Sequence, residues 1–401
     1  MTTIKRRSVV AGLGSLATTS LFAPLTVGQA KLHVGVIGAG IVGASIALHL
    51  TKLGAKVTLI EKTAIAAGAT RNSFAWINAS STIEHYRKFR LSSIASWHQL
   101  DQELGLGILW GGALRWQPDG SAAVRLDNNI DALRNSGYPL SKLSEEEFNN
   151  LAPEFNPEKI GVAAFSSVDG HLDPVAVTAK LISYAQSLGL TLKIPCSAQG
   201  LIMNGDQLQG VKTNTGDIML DRLVVAAGVG TPELTSIAGY RPPLVHAPGI
   251  LAHTSPVNFA TKKVVYAPGI HFKQFADGHI VGADSEEPPQ TLAHELIKSK
   301  AIKFPSKEIE DMHTMRIIEK VANVFPAAKG AGPARLTLGF RPKPKDGFPV
   351  IGYTPGSSSI YSAVMHSGVT LAPIVGRLVA KEIMEDTTQT SLSPYRPERF
   401  L

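Results

Sequence analysis

A glycine-rich turn and one acidic residue form the part of the sequence whose spacing most directly indicates a chemistry. Gly38, Gly40 and Gly43 follow one apolar run, and Glu61 ends a second apolar run. In such a turn the first glycine permits a tight bend, the second lets the backbone approach a pyrophosphate, and the third lets the following helix pack closely on the strand. The carboxylate of Glu61 can accept hydrogen bonds from the hydroxyl groups of a ribose. The pattern therefore predicts a dinucleotide site. Three neighbouring residues are also expected to line it: Ile41, Val42 and Lys62.

The elements that must position these residues are indicated by the same stretch. Apolar runs at 33–37 and 57–60 predict two strands, and the segment between them predicts a helix over 41–53. The N–H groups at the start of that helix have no partner within the helix, so they can face phosphates. A glycine turn that only joins packed elements is the alternative, but it leaves the position of the acid unexplained.

Composition places the chain among globular proteins. The 401 residues are 44% hydrophobic and carry a formal net charge of +7. Three of the basic residues lie within the first seven positions, so the rest of the chain has only a mild basic excess, which does not suggest nucleic-acid binding. Cys196 is the single cysteine, which excludes an intrachain disulfide and a CxxC motif, and we expect it to be a buried small apolar residue.

Residues 1–30 resemble an export signal of the twin-arginine type. Arg6 and Arg7 precede a stretch of modest hydrophobicity that ends in small residues. Paired arginines and weak hydrophobicity favour the route that carries folded proteins, although Val9 stands where such signals usually have Phe. A transmembrane anchor is the alternative. We therefore predict a periplasmic or otherwise exported protein.

The rest of the chain alternates between helical and strand patterns. Ser144 and Glu147 form a capping box that opens a short helix. The predicted fold class is mixed α/β: a Rossmann-like dinucleotide-binding domain assembled from discontinuous segments, with an antiparallel-sheet domain interleaved. Helices are predicted over 83–104, 122–134, 174–188, 289–325 and 369–384, and strands over 107–117, 191–226, 243–283 and 334–363.

Several pieces in a fixed order carry a resemblance to a known family. They are VIGAGIVGASIA with Glu61, ATRNSFAWIN, DGHLDP, VVAAG, GFRPKPKDGFPVIG and MHSGVTLAPIVGRLVA. Over 32–386 the chain resembles the flavin-dependent amine oxidoreductases of the D-amino acid oxidase, glycine oxidase and sarcosine oxidase superfamily. The resemblance implies FAD as the cofactor. It also implies an FAD-binding domain built from 31–90, 150–240 and 334–401, and a substrate domain built from 91–149 and 241–333.

The resemblance further implies which residues contact FAD. The last long helix would point its N-terminus at the flavin pyrimidine ring, where a helix N-terminus stabilises negative charge. His366 would approach the flavin there, although it could instead cap the helix without touching FAD. Ala198 would meet adenine through its backbone, and Gly228 would close over the dinucleotide. The remaining implied contacts are Gly368, Val369 and Thr370 at the helix, and Arg71, Asn72 and Ser73 along the pyrophosphate and isoalloxazine.

Arg341 is the residue that the resemblance places against a substrate carboxylate. A planar guanidinium can grip a carboxylate through two hydrogen bonds and so hold the substrate carbon over the flavin for hydride transfer. The alternative for Arg341 is a structural ion pair with Asp346. Tyr266 and His271 lie in the segment expected to cover the flavin and are the other catalytic candidates, although each alone is more typical of a packing residue. The implied substrate is a D-amino acid or an N-substituted glycine, oxidised to an imine.

Two departures from the superfamily bear on the flavin and on the electron acceptor. The chain has no cysteine near Arg341, and Ile77 follows Trp76 where a flavin-linking histidine would stand, so FAD is expected to be non-covalent. Ile280 occupies the position of the lysine with which sarcosine oxidases activate oxygen. The acceptor is therefore left open between oxygen and a quinone or other carrier, and peripheral association with a membrane is left open with it.

Two other functions remain as alternatives at this stage. One is a flavin-binding subunit or carrier without its own amine substrate, and the other is a nicotinamide-dependent dehydrogenase, which uses the same glycine turn and acid. The sequence predicts no metal site and no nucleic-acid partner, and it does not indicate the oligomeric state.

Overall fold

A computed structural model describes residues 31–205, 207–285, 291–298 and 306–401. The predicted export signal, residues 1–30, lies outside this part of the chain. Residues from Leu32 to Leu401 form one compact unit. Within the described residues, no helix is both long enough and apolar enough to cross a membrane.

The helices and strands are numbered along the chain. The helices are α1 Ile41–Lys52, α2 Glu84–Leu104, α3 Ser121–Asn135, α4 Glu145–Leu151, α5 Pro174–Ser187, α6 Thr231–Ser236, α7 Leu292–Lys298, α8 Lys307–Val324 and α9 Gly368–Glu385. The strands are β1 His33–Ile37, β2 Lys56–Ile60, β3 Trp76–Ile77, β4 Ala113–Gln117, β5 Ser141–Leu143, β6 Val162–Ser166, β7 Gly170–His171, β8 Thr191–Lys193, β9 Ala198–Asn204, β10 Gln207–Thr213, β11 Ile218–Met219, β12 Arg222–Val225, β13 Leu244–Val245, β14 Pro248–Thr254, β15 Val264–Ala267, β16 Ile270–Gln274, β17 Ile280–Ala283, β18 Pro333–Phe340, β19 Lys343–Pro344, β20 Val350–Tyr353 and β21 Ile360–Val364.

A six-stranded sheet carries the glycine turn and Glu61. Its order is β20-β21-β12-β1-β2-β8, and all neighbouring pairs are parallel except β20 with β21. A strand that is buried on both faces needs a continuous apolar run. In β1 the residues from Val34 to Ile37, which point alternately to the two faces, are all buried. The predicted strand, glycine turn, helix and second strand are confirmed by β1, α1 and β2.

An eight-stranded sheet forms the second layer. Its order is β18-β14-β17-β16-β15-β4-β6-β5, and its neighbours are antiparallel except β15 with β4. The mixed α/β class with an interleaved, mainly antiparallel sheet is therefore confirmed. Strands β6 and β18 belong to this sheet although they fall within, or overlap, the ranges 150–240 and 334–401 predicted for the FAD domain.

The predicted strand over 107–117 is too long. The strand β4 begins only at Ala113, and the preceding residues are irregular apart from a bridge between Leu109 and His171. Gly107 and Gly112 have φ angles of 73° and 78°, which a regular strand does not allow. Glycine at these positions therefore marks a change of direction rather than a continuation of the strand.

Helix α9 is fixed against α1 by a close approach of their backbones. A Cβ added to Gly376 would lie 2.3 Å from Ser45 Oγ, so only glycine allows this helix contact. At its other end, the side chains of Arg396 and Tyr361 both bond to the buried carboxylate of Glu382. These contacts orient α9 and so determine where its N-terminus lies.

Candidate active site

The glycine turn forms a cradle that side chains would fill. Gly38 has a φ of +105°, and a Cβ there would lie 2.5 Å from the carbonyl oxygen of Ala226. A Cβ on Gly43 would lie 1.9 Å from the carbonyl oxygen of Gly38, because α1 packs directly on the turn. Gly40 is the N-cap of α1 and provides no side-chain acceptor for the first N–H groups. The N–H of Ile41 donates a 3.1 Å bond to Thr70 Oγ1, which leaves the N–H groups of Val42 and Gly43 available to an anion.

Glu61 is held at the edge of this turn. Its Oε2 accepts a hydrogen bond of 3.0 Å from the N–H of Ala39, and its Oε1 accepts bonds of 2.9 and 3.1 Å from the N–H and hydroxyl groups of Thr63. The carboxylate is thereby oriented toward the cavity that the turn lines, where Oε2 retains capacity for a further donor. Its contact with a ribose stays a prediction.

A first cavity of about 1040 Å³ extends along the turn and the carboxyl ends of the sheet. Four predicted cofactor residues do not line it: Asn72 and Thr370 line only the second cavity described below, and Gly43 and Arg71 line neither. Gly43 lies in the helix contact, and the Arg71 side chain is exposed outside both this cavity and the next. The predicted residues that do line it are Gly38, Gly40, Ile41, Val42, Glu61, Lys62, Ser73, Ala198, Gly228, His366, Gly368 and Val369.

A second cavity of about 740 Å³ adjoins the first. Five residues line both cavities: Ala69, Ser73, Pro342, His366 and Val369. The two spaces therefore meet at the start of α9 and at the loop between β2 and β3, which carries the predicted flavin contacts Arg71, Asn72 and Ser73 and is called the flavin loop below. The predicted residues that line the second cavity are Asn72, Ser73, Tyr266, His271, Arg341, His366, Val369 and Thr370. The structure therefore brings the three catalytic candidates into one space next to the dinucleotide cavity.

The N-terminus of α9 is free at the junction of the two cavities. Its N-cap, Ser367, makes no side-chain capping bond, and the first N–H groups of a helix have no partner within the helix. The Thr370 hydroxyl donates a 3.1 Å bond to the carbonyl of Trp76, which fixes the flavin loop to this helix. The cradle, the remaining N–H donors at the starts of α1 and α9, and the continuous cavity fit an FAD molecule with its anionic groups at these donors.

Arg341 is exposed at the rim of the second cavity. Its Nε and Nη2 donate hydrogen bonds of 3.2 and 3.1 Å to the carbonyls of Ala247 and Pro248. The predicted alternative, an ion pair with Asp346, is wrong: Asp346 bonds instead to Arg399 Nε at 2.8 Å. Among the described residues Arg341 has no acidic partner, so Nη1 remains able to bind a substrate anion. The second N–H of Nη2 is also unused by these bonds, so the predicted grip with two hydrogen bonds is possible while both backbone carbonyls stay bound.

An aromatic wall closes one side of the second cavity. The rings of Tyr266 and His271 stack at 5.0 Å, Trp76 contacts Tyr266 at 5.2 Å, and Phe74 contacts His271 at 4.8 Å. Burial lowers the pKa of His271 to about 4 and raises that of Tyr266 to about 12. Both side chains are therefore neutral at physiological pH, and we expect them to shape the cavity rather than to exchange protons.

His366 faces both cavities in its neutral form. Its removal from bulk water, together with repulsion from Arg341, Lys343 and Arg90, lowers its pKa to about 4. A neutral imidazole can donate one hydrogen bond and accept another, and it adds no positive charge to this strongly basic region. The weak contact of its Nδ1 with Ser367 Oγ, at 3.5 Å, does not show it to be a cap of α9.

One group of side chains in the second cavity has the composition of a metal site, which the sequence did not predict. The ligand atoms of Asp284, His294 and His313 lie within 4.8 Å of one another. However, Asp284 accepts hydrogen bonds from Arg316 and Lys320. These two cations outweigh the effect of burial and lower the pKa of Asp284 to about 2. Because Arg316 and Lys320 of α8 already compensate the charge of Asp284, the three side chains are better suited to anchoring α8 than to holding a metal cation.

Three buried charged residues lie near the site and were not predicted from the sequence to belong to it. Arg90 donates to the carbonyl and side chain of Asn78 at 2.9 and 2.6 Å, beside the flavin loop. Arg115 lies in β4 next to Tyr266 of β15. Asp169 accepts bonds from Trp76 and Tyr138, and burial raises its pKa to about 6. An arginine between Leu114 and Trp116 in a short apolar strand is the signal that could have revealed Arg115.

The fold and the two cavities define a flavin-dependent oxidoreductase of the Rossmann-like type. The family profile described as DAO, FAD dependent oxidoreductase, matches residues 33–382. The chain belongs to this family, and FAD is its cofactor, which confirms the superfamily and cofactor predictions and removes the nicotinamide alternative.

Individual relatives are distant but cover most of the chain. Glycine oxidase of Pseudomonas aeruginosa is 26% identical over 91% of this chain and 98% of its own length. The 4-methylaminobutanoate oxidase (formaldehyde-forming) of Paenarthrobacter nicotinovorans is 25% identical over 91% of this chain, which spans only 45% of that relative. The crystal structure of L-proline dehydrogenase from P. horikoshii superimposes with a TM-score of 0.79 and 25% identity, covering 92% of this chain and 98% of that one.

Proposed function

We propose that this protein oxidises the C–N bond of an amino acid, either a D-amino acid or an N-substituted glycine, to an imine that water then hydrolyses. FAD supplies the acceptor for the hydride that leaves the carbon. The lone pair of the uncharged amine forms the new C=N bond as the hydride leaves with both electrons of the C–H bond. The resulting iminium ion loses its N–H proton to water to give the imine, so no strong protein base is needed. The task of the protein is then mainly to bind and orient the amine.

The meeting of the two cavities at the start of α9 is the observation that supports this proposal. The second cavity brings Arg341, Tyr266 and His271 together directly beside the dinucleotide cavity. Arg341 provides a cation for a substrate carboxylate, and the neutral aromatic wall excludes water without trapping the amine as an ion pair. The relatives include a glycine oxidase and an L-proline dehydrogenase, which agrees with an amino-acid substrate.

The electron acceptor and the location form a second part of the proposal. Ile280, which the resemblance places at the lysine position of sarcosine oxidases, is almost fully buried in β17. We infer that the reduced enzyme passes its electrons to a quinone or another carrier more readily than to oxygen, after export through the twin-arginine route. Cell fractionation of the protein and of an Arg6→Lys, Arg7→Lys variant tests the export: retention of both in the cytoplasm would contradict it.

The test of the activity is anaerobic reduction of the bound flavin. D-amino acids, L-amino acids, glycine, sarcosine and proline analogues are added in turn, and loss of the flavin absorbance is followed before and after air is admitted. Bleaching by a D-amino acid or an N-substituted glycine, with slow recolouring in air, is the expected result. Rapid recolouring would identify an oxidase. No bleaching by any amine would favour the alternative of a flavin-binding subunit or carrier.

Replacing Arg341 by Leu tests the binding of the carboxylate. We expect the KM for the amino acid to rise by about 30-fold or more, because a charged hydrogen bond to substrate is worth roughly 2 kcal/mol or more. FAD content and the spectrum of the flavin are expected to stay unchanged. Arg335→Leu is the control, since Arg335 is also an exposed arginine, in the strand β18 that ends just before Arg341, but lines neither cavity. Unchanged kinetics of the Arg341 variant would defeat the assignment.

A further inference from the structure

A third cavity adjoins the aromatic wall. Its volume is about 480 Å³. Trp76, Ser80 and Tyr266 line both this cavity and the second one, so these side chains form the boundary between the two spaces. The lining contains hydroxyl groups, amides and the guanidinium of Arg115, but no Asp or Glu among the described residues. It is therefore a polar space with a positive charge and no acidic group of its own.

Arg115 is buried without the partners that a guanidinium requires. Only 8% of the residue is exposed, and its Nε has no hydrogen-bond partner. No other hydrogen bond or ion pair joins its side chain to the described part of the protein. The rings of Trp76 and Tyr266 compensate the charge only partly, since they lie 5.4 and 5.9 Å from the guanidinium carbon. Leaving buried charged donors in this state is costly unless a ligand completes them.

Asp169 does not supply the missing acceptors. Its Oδ1 accepts hydrogen bonds from the hydroxyls of Tyr138 and Ser166, and its Oδ2 accepts one from the indole of Trp76. Asp169 interacts with Arg115 only through the longer-range electrostatic attraction between their charges. It therefore offsets part of the charge, while the N–H groups of Arg115 remain available to a ligand in the third cavity.

We propose that the third cavity binds a carboxylate through Arg115, and that the amines oxidised here carry such a carboxylate at a distance from the carbon that is oxidised. The planar guanidinium matches a carboxylate through paired N–H donors. Gln117 and Asn129 add amide groups to the same lining. Arg341 serves the other end of the substrate, so an amine with two acidic groups matches the charge distribution. This inference rests on the proposed function, but its test needs no turnover.

The experiment measures binding of dicarboxylates that cannot be oxidised. Succinate, glutarate, adipate and suberate are each compared with their monomethyl esters by calorimetric titration of the FAD-loaded protein. For at least one chain length we expect the diacid to bind about tenfold more tightly than its ester. In Arg115→Met the ratio of the two dissociation constants, ester to diacid, is expected to fall to about one. In Arg115→Lys the preference for the diacid is expected to be partly retained, because Lys keeps the positive charge but lacks the paired N–H donors of a guanidinium.

A pair of surface variants keeps the test independent of folding at Arg115. Asn129 and Asn128 are neighbours on α3 and both are exposed, but only Asn129 lines the third cavity. Asn129→Asp is expected to weaken diacid binding several-fold by repulsion, whereas Asn128→Asp is expected to leave it unchanged. The proposal is overturned if no diacid is preferred over its ester, or if Arg115→Met and Asn129→Asp both keep the wild-type ratio. Diacid binding without any amine oxidation would instead reject only the proposed function.

Discussion

Replacement of Gly43 by Ala is expected to abolish FAD binding and to destabilise the folded protein by about 3 kcal/mol or more, the upper end of what overpacking normally costs. The new methyl group would lie 1.9 Å from the carbonyl oxygen of Gly38, far inside van der Waals contact. That oxygen cannot move aside easily, because the N–H of Gly38 bonds to the carbonyl of Ile60 at 2.8 Å and the turn packs against Ala226. Helix α1 must therefore move, and its N–H donors move with it.

Flavin content after purification and the urea midpoint of unfolding measure these two effects. Less than a tenth of the wild-type flavin is expected in Gly43→Ala. Gly200→Ala is the matched control: its Cβ would meet only Lys212 Cδ, at 4.0 Å, and Gly200 lines neither the first nor the second cavity. A Gly43→Ala protein with full flavin content would show that the turn tolerates displacement and does not bind the pyrophosphate as proposed.

The same turn shows why part of the fold could be predicted from the sequence. The glycine spacing, the apolar runs and the acid are all local features, and each local choice leads to the same β1-α1-β2 unit. Two further helices were predictable for a related reason, since their first residues carry local capping signals. Asp173 caps α5 through bonds to two backbone N–H groups, and Ser144 with Glu147 forms the predicted capping box of α4.

The contacts between distant segments could not be predicted in this way. Arg115 and Tyr266 become neighbours through a parallel pairing of β4 with β15, and neither strand carries a local sign of the other. Asp346 was expected to pair with the nearby Arg341, but the chain end brings Arg399 to it instead. Side chains that meet only through tertiary packing thus account for most of what the sequence did not predict in the second and third cavities.

A steep loss of stability between pH 7 and pH 5 is the other large effect that we expect. His171, His253 and His313 are at most 5% exposed. Burial, together with nearby cations, lowers their pKa values, to about 3 for His253, to about 4 for His313 and well below the usual value for His171. In the unfolded chain each has a pKa near 6.5. Below that pH the histidines of the unfolded chain are protonated while those of the folded protein stay neutral. The free energy of unfolding therefore falls as the pH decreases.

Two buried acids act differently in this range. The raised pKa of Asp169, about 6, means that the folded state gains a proton there before the unfolded state does, which offsets about one histidine over part of the window. The lowered pKa of Asp284, about 2, preserves its contribution until the pH falls below about 4, outside this window. These three histidines against one carboxyl leave a net loss on the order of 4 kcal/mol between pH 7 and pH 5, and His49 and His271, whose pKa values burial lowers to about 4, add to that loss.

Urea unfolding of the FAD-loaded protein at the two pH values measures this loss. His313→Gln is expected to reduce the pH dependence by about 2 kcal/mol, because one of the three proton-binding differences is removed. His246→Gln is the control, since His246 is an exposed histidine. Equal stability of the wild-type protein at pH 7 and pH 5 would mean that these imidazoles gain protons without unfolding. His313, which of the three lines the second cavity, would then need enough water there to solvate a charged imidazole, and this conflicts with the water-excluding wall on which the proposed oxidation depends.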